Sequence, residues 1–456
     1  MNPLIFREYD IRGIADTELR DDEVYRLGQA FGTYALQHGA KRCVVGRDVR
    51  LSGPRIQQAM TKGICSTGLS VIDIGVVPTP VFYFAQFHLN CNAGIMVTAS
   101  HNPPEYNGFK VSLNKTTIFG RDIQTLRQVM EQCRFDQGKG KLARTDVIPA
   151  YLEALRAKVT IPGRLRVVFD PGNGTAGILL ERLFAGTPVE PTFINLRPDG
   201  TFPAHVPDPT VPEYMRQVTE LVKSSGADCG IGYDGDADRI GAVDETGTMV
   251  YGDKLLGIYA KEVIAAKPEA IIVFDVKCSQ GLVEYVESLG GKPLMWKTGH
   301  SLIKAKMKEE DALLAGEMSG HMFFRDNYYG YDDALFASLR LLRIIASSGR
   351  RLSELAAEIP RYYSTPEIRV TCADEAKFRV VSELRDHFRR QHKVIDIDGA
   401  RVVFADGWGL VRASNTGPVL VLRFEARTPE RLPEIQGMFL ELLKKYPEVK
   451  LPEDQL

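Results

Sequence analysis

Three loops in this chain carry side chains whose types and spacing can do chemistry. The first is Thr98-Ala99-Ser100-His101-Asn102-Pro103-Pro104, which follows the apolar run Ala93-Gly94-Ile95-Met96-Val97. That run reads as a short buried strand, and Asn-Pro-Pro cannot continue one. Ser100 is therefore presented on a sharp loop, beside His101 and ahead of Lys110. A hydroxyl so placed suits a nucleophile or a phosphate carrier, although Ser and Asn are also common turn residues. The second loop is Asp234-Gly235-Asp236-Ala237-Asp238-Arg239. On an extended segment its three alternating carboxylates share one side, whereas on a helix they diverge. Clustered carboxylates repel unless a cation neutralises them, and hard oxygen ligands select Mg2+, Mn2+ or Ca2+ over zinc. An EF-hand is rejected. Glu245 falls at that loop's twelfth position, but Arg239 holds the sixth, where the turn needs glycine. A solvated acidic turn is the plain alternative.

The third loop, Gly316-Glu317-Met318-Ser319-Gly320-His321, also alternates. If it is extended, Glu317, Ser319 and His321 point together, and their groups suit the vicinal hydroxyls of a sugar. Farther on, Arg412-Ala413-Ser414-Asn415-Thr416-Gly417 joins one fixed cation to three small hydrogen-bonding side chains. That composition can grip a phosphate without hydrolysing it, with Arg423 expected nearby on the next strand. Both segments also read as Gly-containing turns. Lys297-Thr298-Gly299-His300-Ser301 offers His300 as a proton carrier. Phe6-Arg7-Glu8-Tyr9-Asp10-Ile11-Arg12-Gly13 gathers a tyrosine and two arginines near a glycine. Gly172-Asn173-Gly174-Thr175-Ala176-Gly177 matches a dinucleotide fingerprint, with Glu190 close to the expected acidic position. Pro171 intrudes between strand and glycine, and no hydride-handling site follows, so a tight strand-to-helix turn is favoured.

The elements that must position these loops repeat. An apolar strand ending in an acid occurs at Val44–Asp48, Val167–Asp170 and Ile271–Asp275, each followed by a helical pattern. Later in each unit comes another apolar strand with one of the three loops at its carboxyl end. Alternating strands and helices imply layered α/β units, and ligands gather at the carboxyl ends of their strands. From about Tyr362 the pattern changes to strands and two charged helices, near Asp374–Gln391 and Arg431–Lys445, which reads as an α+β domain. The expected domains are 1–146, 147–248, 249–361 and 362–456.

Composition narrows the class. A chain of 456 residues accommodates several domains, and 44% hydrophobic content suffices for several cores. With 57 basic and 58 acidic residues, no basic field exists to hold nucleic acid. No apolar run reaches membrane-spanning length, and the N-terminus lacks a signal peptide's apolar centre, so a cytoplasmic protein is expected. The 7 cysteines are scattered singly without a Cys-x-x-Cys pair, which argues against zinc or disulfide chemistry. No obligate protein partner is evident.

Taken together, the ordered segments Phe6–Gly13, Thr98–Pro103, Asp234–Arg239, Lys297–Ser301, Gly316–His321 and Arg412–Thr416 resemble the α-D-phosphohexomutase superfamily, in particular its bacterial phosphomannomutase/phosphoglucomutase members. The resemblance covers essentially the whole chain. It implies three similar α/β domains with mixed sheets and a TATA-binding-protein-like α+β domain around a central cleft. These would be, in order, the phosphoserine-bearing, metal-binding, sugar-recognition and phosphate-binding domains. The implied activity interconverts hexose 1-phosphates and hexose 6-phosphates, of mannose or glucose, through a phosphoserine and a bisphosphorylated sugar. By the same resemblance Ser100 carries the phosphoryl group, and one Mg2+ is held by Ser100, Asp234, Asp236 and Asp238. Glu317 and Ser319 would read the 3- and 4-hydroxyls with His321 nearby. Arg412, Ser414, Asn415 and Thr416 would hold the phosphate that is not transferred. Tyr9, Arg12, Lys110, Arg239 and His300 match further positions of the implied site, with Lys110 and His300 as proton carriers and a sugar 1,6-bisphosphate as activator; His101, beside Ser100, and Arg423, beside the phosphate loop, join the expected site on their own placement. Met318 differs from the residue usual in members acting on glucosamine phosphate, which leaves phosphoglucosamine mutase as the near alternative. A Mg2+-dependent sugar phosphatase, an NAD-dependent dehydrogenase and a non-catalytic sugar-phosphate sensor are the remoter ones.

Overall fold

The computed structural model describes residues 1–414 and 417–451. Within it the sequence repeat is a repeat of sheet wiring. In each of the first three units, a central strand lies between two parallel neighbours. One neighbour carries a chemical loop at its carboxyl end, and beyond it lies an antiparallel strand. In the first unit Arg42–Arg47 lies between Ser70–Val76 and Ala93–Val97, and Ala93–Val97 pairs with Tyr106–Leu113. In the second, Leu165–Asp170 lies between Val189–Phe193 and Cys229–Tyr233, which pairs with Ile240–Asp244. In the third, Ile271–Asp275 lies between Lys292–Trp296 and Leu314–Gly316, which pairs with Met322–Phe324. One antiparallel strand in an otherwise parallel core makes each sheet mixed. The loop-bearing strands Ala93–Val97, Cys229–Tyr233 and Leu314–Gly316 are buried at every position, as expected of short apolar strands covered on both faces.

The fourth unit is different in kind. Its strands, among them Ile368–Cys372, Ala400–Phe404, Gly407–Ala413 and Val419–Ala426, pair antiparallel. The helices Asp374–Phe388 and Arg431–Leu443 pack on one face, where the Phe388 and Phe439 rings stack at 4.5 Å. Period-two alternation decides what the other face does. Leu420, Leu422 and Phe424 point into the helix-covered core, while the intervening Arg423 and Glu425 turn toward the third unit. There Glu425 accepts from Ser279 Oγ at 2.9 Å and from the Gln280 amide at 3.0 Å, and Trp408 and Leu410 pack on Val276. One continuous apolar core runs through the first three units, from Val81 and Phe84 by way of Tyr151 and Phe169 to Tyr259 and Leu342. Among the described residues no helix is long and apolar enough to cross a membrane.

Candidate active site

Ser100 lies at the end of its strand in the left-handed region, with φ of 52°, a conformation few side chains adopt. The residue is 1% exposed, so the loop turns its hydroxyl inward, away from solvent. Ser100 Oγ donates to Asp234 Oδ2 at 2.6 Å and lies 2.9 Å from His101 Nδ1. Its amide donates to Thr98 Oγ1 at 2.9 Å. The second loop meets this one at van der Waals limits. A Cβ built on Gly235 would stand 2.5 Å from the Ser100 carbonyl oxygen, so only glycine fits there.

The three aspartates converge, but not through the extended alternation expected. Residues 235 and 236 form a turn, Ala237 has φ of 61°, and the Ala237 amide bonds back to the Asp234 carbonyl at 3.1 Å. The tight turn folds the carboxylates onto one another, with one oxygen from each within 4.8 Å of the others. Asp234 Oδ1 accepts from the Asp238 and Arg239 amides at 3.0 Å each. Asp236 Oδ2 accepts from Thr79 Oγ1 at 2.6 Å and from Lys110 Nζ at 2.7 Å, and Lys110 also pairs with Asp238. Asp236 Oδ1 and Asp238 Oδ1 stay buried without a hydrogen-bond partner. Burial and the two neighbouring aspartates push the Asp234 carboxyl well up. Burial works the same way on Asp236, but Lys110 and Thr79 overcome it and hold that carboxyl down. Burial opposes the Lys110 charge, and Asp236 and Asp238 outweigh it, so Lys110 stays an ammonium. Hard oxygen donors, two of them orphaned, in a cluster short of positive charge fit a divalent cation such as Mg2+.

The third loop likewise turns rather than extends, at residues 318 and 319. Ser319 Oγ lies 3.4 Å from Glu317 Oε2, and His321 Nε2 lies 3.9 Å from it. Glu317 Oε1 accepts from the Gly299 amide at 2.5 Å, which ties the loop to His300. Arg239 Nε donates to His321 Nε2 at 2.9 Å, so a neutral His321 carries its proton on Nδ1, facing Asp332 Oδ2 at 3.0 Å. That tautomer argues against a second metal site at Asp238, His321 and Asp332. Asp332 also takes Lys304 at 2.9 Å and lies 3.9 Å from His300 Nδ1. His300 opens the helix His300–Glu309 and is 4% exposed. Burial, with Lys304, keeps it neutral, and its Nε2 has no hydrogen-bond partner. Burial, with Arg239 and Arg12, does the same to His101. Tyr9 sets its ring edge-on to His300 at 5.5 Å. Arg12 is held by Asp10 at 2.7 Å and by Asn102 Oδ1 at 2.8 Å.

In the fourth unit Arg412 is buried, and its Nε donates to Asp398 Oδ2 at 3.0 Å. The Thr298 amide meets the same carboxylate at 3.1 Å. The Ser414 amide bonds the Val419 carbonyl at 3.0 Å, and Lys377 Nζ takes the Ser414 and Gly417 carbonyls at 2.6 Å and 3.0 Å. Asn415 and Thr416 lie outside the described residues. Arg423 turns away from this loop, toward the Lys277 carbonyl and Met318 of the third unit, with Asp253 at 3.7 Å. Thr79, Asp332, Lys277, Lys377 and Asp398 gave no signal in the sequence, since each is an ordinary polar residue until its distant partner is known. The dinucleotide fingerprint is resolved too. Thr175–Ile178 is a short 3-10 turn, and Cβ atoms on Gly174 and Gly177 would meet the Gly235 and Leu196 carbonyls. Those glycines serve backbone packing.

Models of the four domains of phosphoglucomutase/phosphomannomutase match the chain in order. Alpha/beta/alpha domains I, II and III match residues 3–136, 149–247 and 251–363, and the C-terminal domain matches residues 367–442. The chain is 44% identical over 443 residues to a phosphomannomutase/phosphoglucomutase of Pseudomonas aeruginosa, spanning 96% of this chain and 95% of that protein. It is 40% identical over 453 residues to a phosphoglucomutase of Neisseria gonorrhoeae, spanning 98% of each. A crystal structure of a phosphoglucomutase/phosphomannomutase family protein from Burkholderia thailandensis superposes with a TM-score of 0.91 at 41% identity, covering 99% of this chain and 100% of that one. This chain belongs to the phosphoglucomutase/phosphomannomutase family.

Proposed function

We propose that the protein is a cytoplasmic hexose-phosphate mutase. It interconverts the 1- and 6-phosphates of mannose and glucose through a phosphorylated Ser100 and a bisphosphorylated sugar. The observation that carries this reading is Ser100 Oγ aimed at Asp234, 2.6 Å away, beside two orphaned carboxylate oxygens. Ser100, Asp234, Asp236 and Asp238 would hold one Mg2+. When bound, that ion supplies positive charge against the carboxylates and the transferring phosphoryl group.

The chain's own residues account for the rest. Glu317 and Ser319 take the sugar 3- and 4-hydroxyls, with His321 alongside. Arg412, Ser414, Asn415 and Thr416 grip the phosphate that stays, while Tyr9 flanks the sugar. Arg12, Arg239 and His101 surround the phosphoryl group in flight. As it leaves phosphorylated Ser100 for the sugar hydroxyl, the P–O bond to serine breaks and a new one to the sugar forms. His300, neutral and unpartnered at Nε2, accepts the hydroxyl proton, and the Lys110 ammonium donates one to the serine oxygen. The intermediate turns end for end, and its other phosphate returns to Ser100. Closure of the fourth domain over the cleft keeps water out. A sugar 1,6-bisphosphate would act as activator by phosphorylating Ser100.

A coupled assay with glucose 1-phosphate, mannose 1-phosphate and glucosamine 1-phosphate tests the reading. Comparable turnover of the first two and little of the third is expected. Dominant turnover of the third makes the enzyme a phosphoglucosamine mutase, and stoichiometric release of inorganic phosphate makes it a phosphatase.

A further inference from the structure

Arg50 lies beneath the Ser100 loop and has no part in the chemistry above. It is 1% exposed, yet all five of its side-chain N–H donors have acceptors. Nε bonds Asp48 Oδ2 at 3.1 Å. Nη1 takes the carbonyls of Pro103 at 2.5 Å and Tyr106 at 3.0 Å. Nη2 takes those of Ser100 at 2.9 Å and Asn102 at 2.5 Å. Asp48 anchors the arrangement, since its Oδ1 accepts from the Arg50 amide at 2.9 Å and its own amide bonds the Val97 carbonyl at 2.9 Å. Val97 ends the strand that leads into Ser100. Four carbonyls of one loop therefore converge on a single planar cation. Only a guanidinium offers five donors in a fixed fork, whereas an ammonium has three. Phe202 of the second unit covers the site, its ring centroid 5.1 Å from Arg50 Cζ.

The loop held in this way is one that its sequence resists. Ser100 has φ of 52°, and a non-glycine residue stays in that region only when its surroundings fix it. The same conformation turns the Ser100 carbonyl to Arg50 and its hydroxyl to Asp234. Because the grip is on carbonyls, it does not depend on what the serine oxygen carries.

We infer that Arg50, anchored by Asp48, is a positioning residue for phosphoryl transfer. It fixes the backbone of the Ser100–Tyr106 loop so that Ser100 Oγ keeps its aim at the aspartates whether phosphorylated or free. The inference rests on Ser100 being the phosphoryl carrier. It is tested on the full chain with Arg50→Lys and Asp48→Asn, by melting, by steady-state kinetics on glucose 1-phosphate, and by the rate at which glucose 1,6-bisphosphate phosphorylates Ser100. A folded Arg50→Lys variant is expected to lose about 100-fold in kcat, the scale of a small misplacement of a reacting group. Its KM should hardly change, because Glu317, Ser319 and the Arg412 loop, which take the sugar hydroxyls and the resting phosphate, lie in other units. Ser100 phosphorylation should slow by the same factor. Asp48→Asn, which loosens one charge-assisted bond, is expected to lose about tenfold in both rates. A folded Arg50→Lys variant with wild-type kcat, or one altered only in KM, overturns the inference. If Arg50→Lys does not fold, the two rates of Asp48→Asn decide. Wild-type protein that neither turns over nor phosphorylates Ser100 refutes the carrier reading instead.

Discussion

Lys110 Nζ meets Asp236 at 2.7 Å and also touches Asp238, while the other oxygen of each carboxylate has no hydrogen-bond partner. The protein thus supplies Lys110 as the ammonium bonded directly to two of three clustered carboxylates. A buried pair broken on one side leaves an uncompensated charge, which costs about 3 kcal/mol or more. Lys110→Met keeps the stem and removes the charge. In chelator it should lose roughly 3 kcal/mol of stability, and millimolar Mg2+ should raise its melting temperature more than that of wild type. Absence of any Mg2+-dependent shift in both proteins would contradict a cation site at the aspartates. Much of this cluster was legible in the sequence, because Asp-x-Asp-x-Asp is rare enough to notice. Its geometry was not. Alternation suggested an extended segment, whereas Ala237 in the left-handed region makes a turn that gathers the same carboxylates more tightly. Arg50 and Asp332 were illegible for another reason. A charge beside an apolar run looks solvated until the chain brings it a hydrogen-bond partner from tens of residues away.

At the scale of elements, the three-fold repeat of strand, helix and loop-bearing strand was visible because each unit has a largely apolar run ending in Asp and, later, a second apolar run leading into a polar loop. The helix Ala334–Ser348 shows what was hidden. Its N-cap, Asp333, accepts from the Phe336 amide at 2.9 Å and from Tyr328 at 2.7 Å, and from Tyr151 of the preceding unit at 2.8 Å. Burial pushes the Asp333 carboxyl up to about 6 from its ordinary 3.8, against the opposing effect of those bonds. A carboxyl raised in the folded state favours the protonated form. Its stabilisation is complete below about pH 4 and is lost as pH rises through about 6. Asp333→Asn keeps the cap and cannot ionise. Between pH 4 and pH 8, wild type should lose on the order of 3 kcal/mol relative to that variant in denaturant unfolding. A stability difference that is the same at both pH values would remove Asp333 as the titrating group.

At the scale of the molecule, no unit holds the site alone. The first brings Ser100 and Lys110, the second the aspartates, the third Glu317 and His300, and the fourth Arg412. Contacts between units fix their relation: Thr79 to Asp236 at 2.6 Å, the Ile240 amide to the Gly320 carbonyl at 3.1 Å, and Arg7 to Asp374 at 3.7 Å. These pairings were beyond reach of the sequence, since they join positions such as 79 and 236 with nothing local to link them. Order along the chain and resemblance to the family supplied what local pattern could not. The central claim is that Ser100 passes its phosphoryl group to sugar and takes one back. Labelling the protein with radioactive phosphate from glucose 1,6-bisphosphate, then chasing with unlabelled glucose 1-phosphate and following the label by peptide mapping, tests this directly. The label should appear on the Ser100 peptide, be absent in Ser100→Ala, and move into sugar phosphate as turnover proceeds. Label that stays on Ser100 through many turnovers, or leaves as inorganic phosphate, would contradict it.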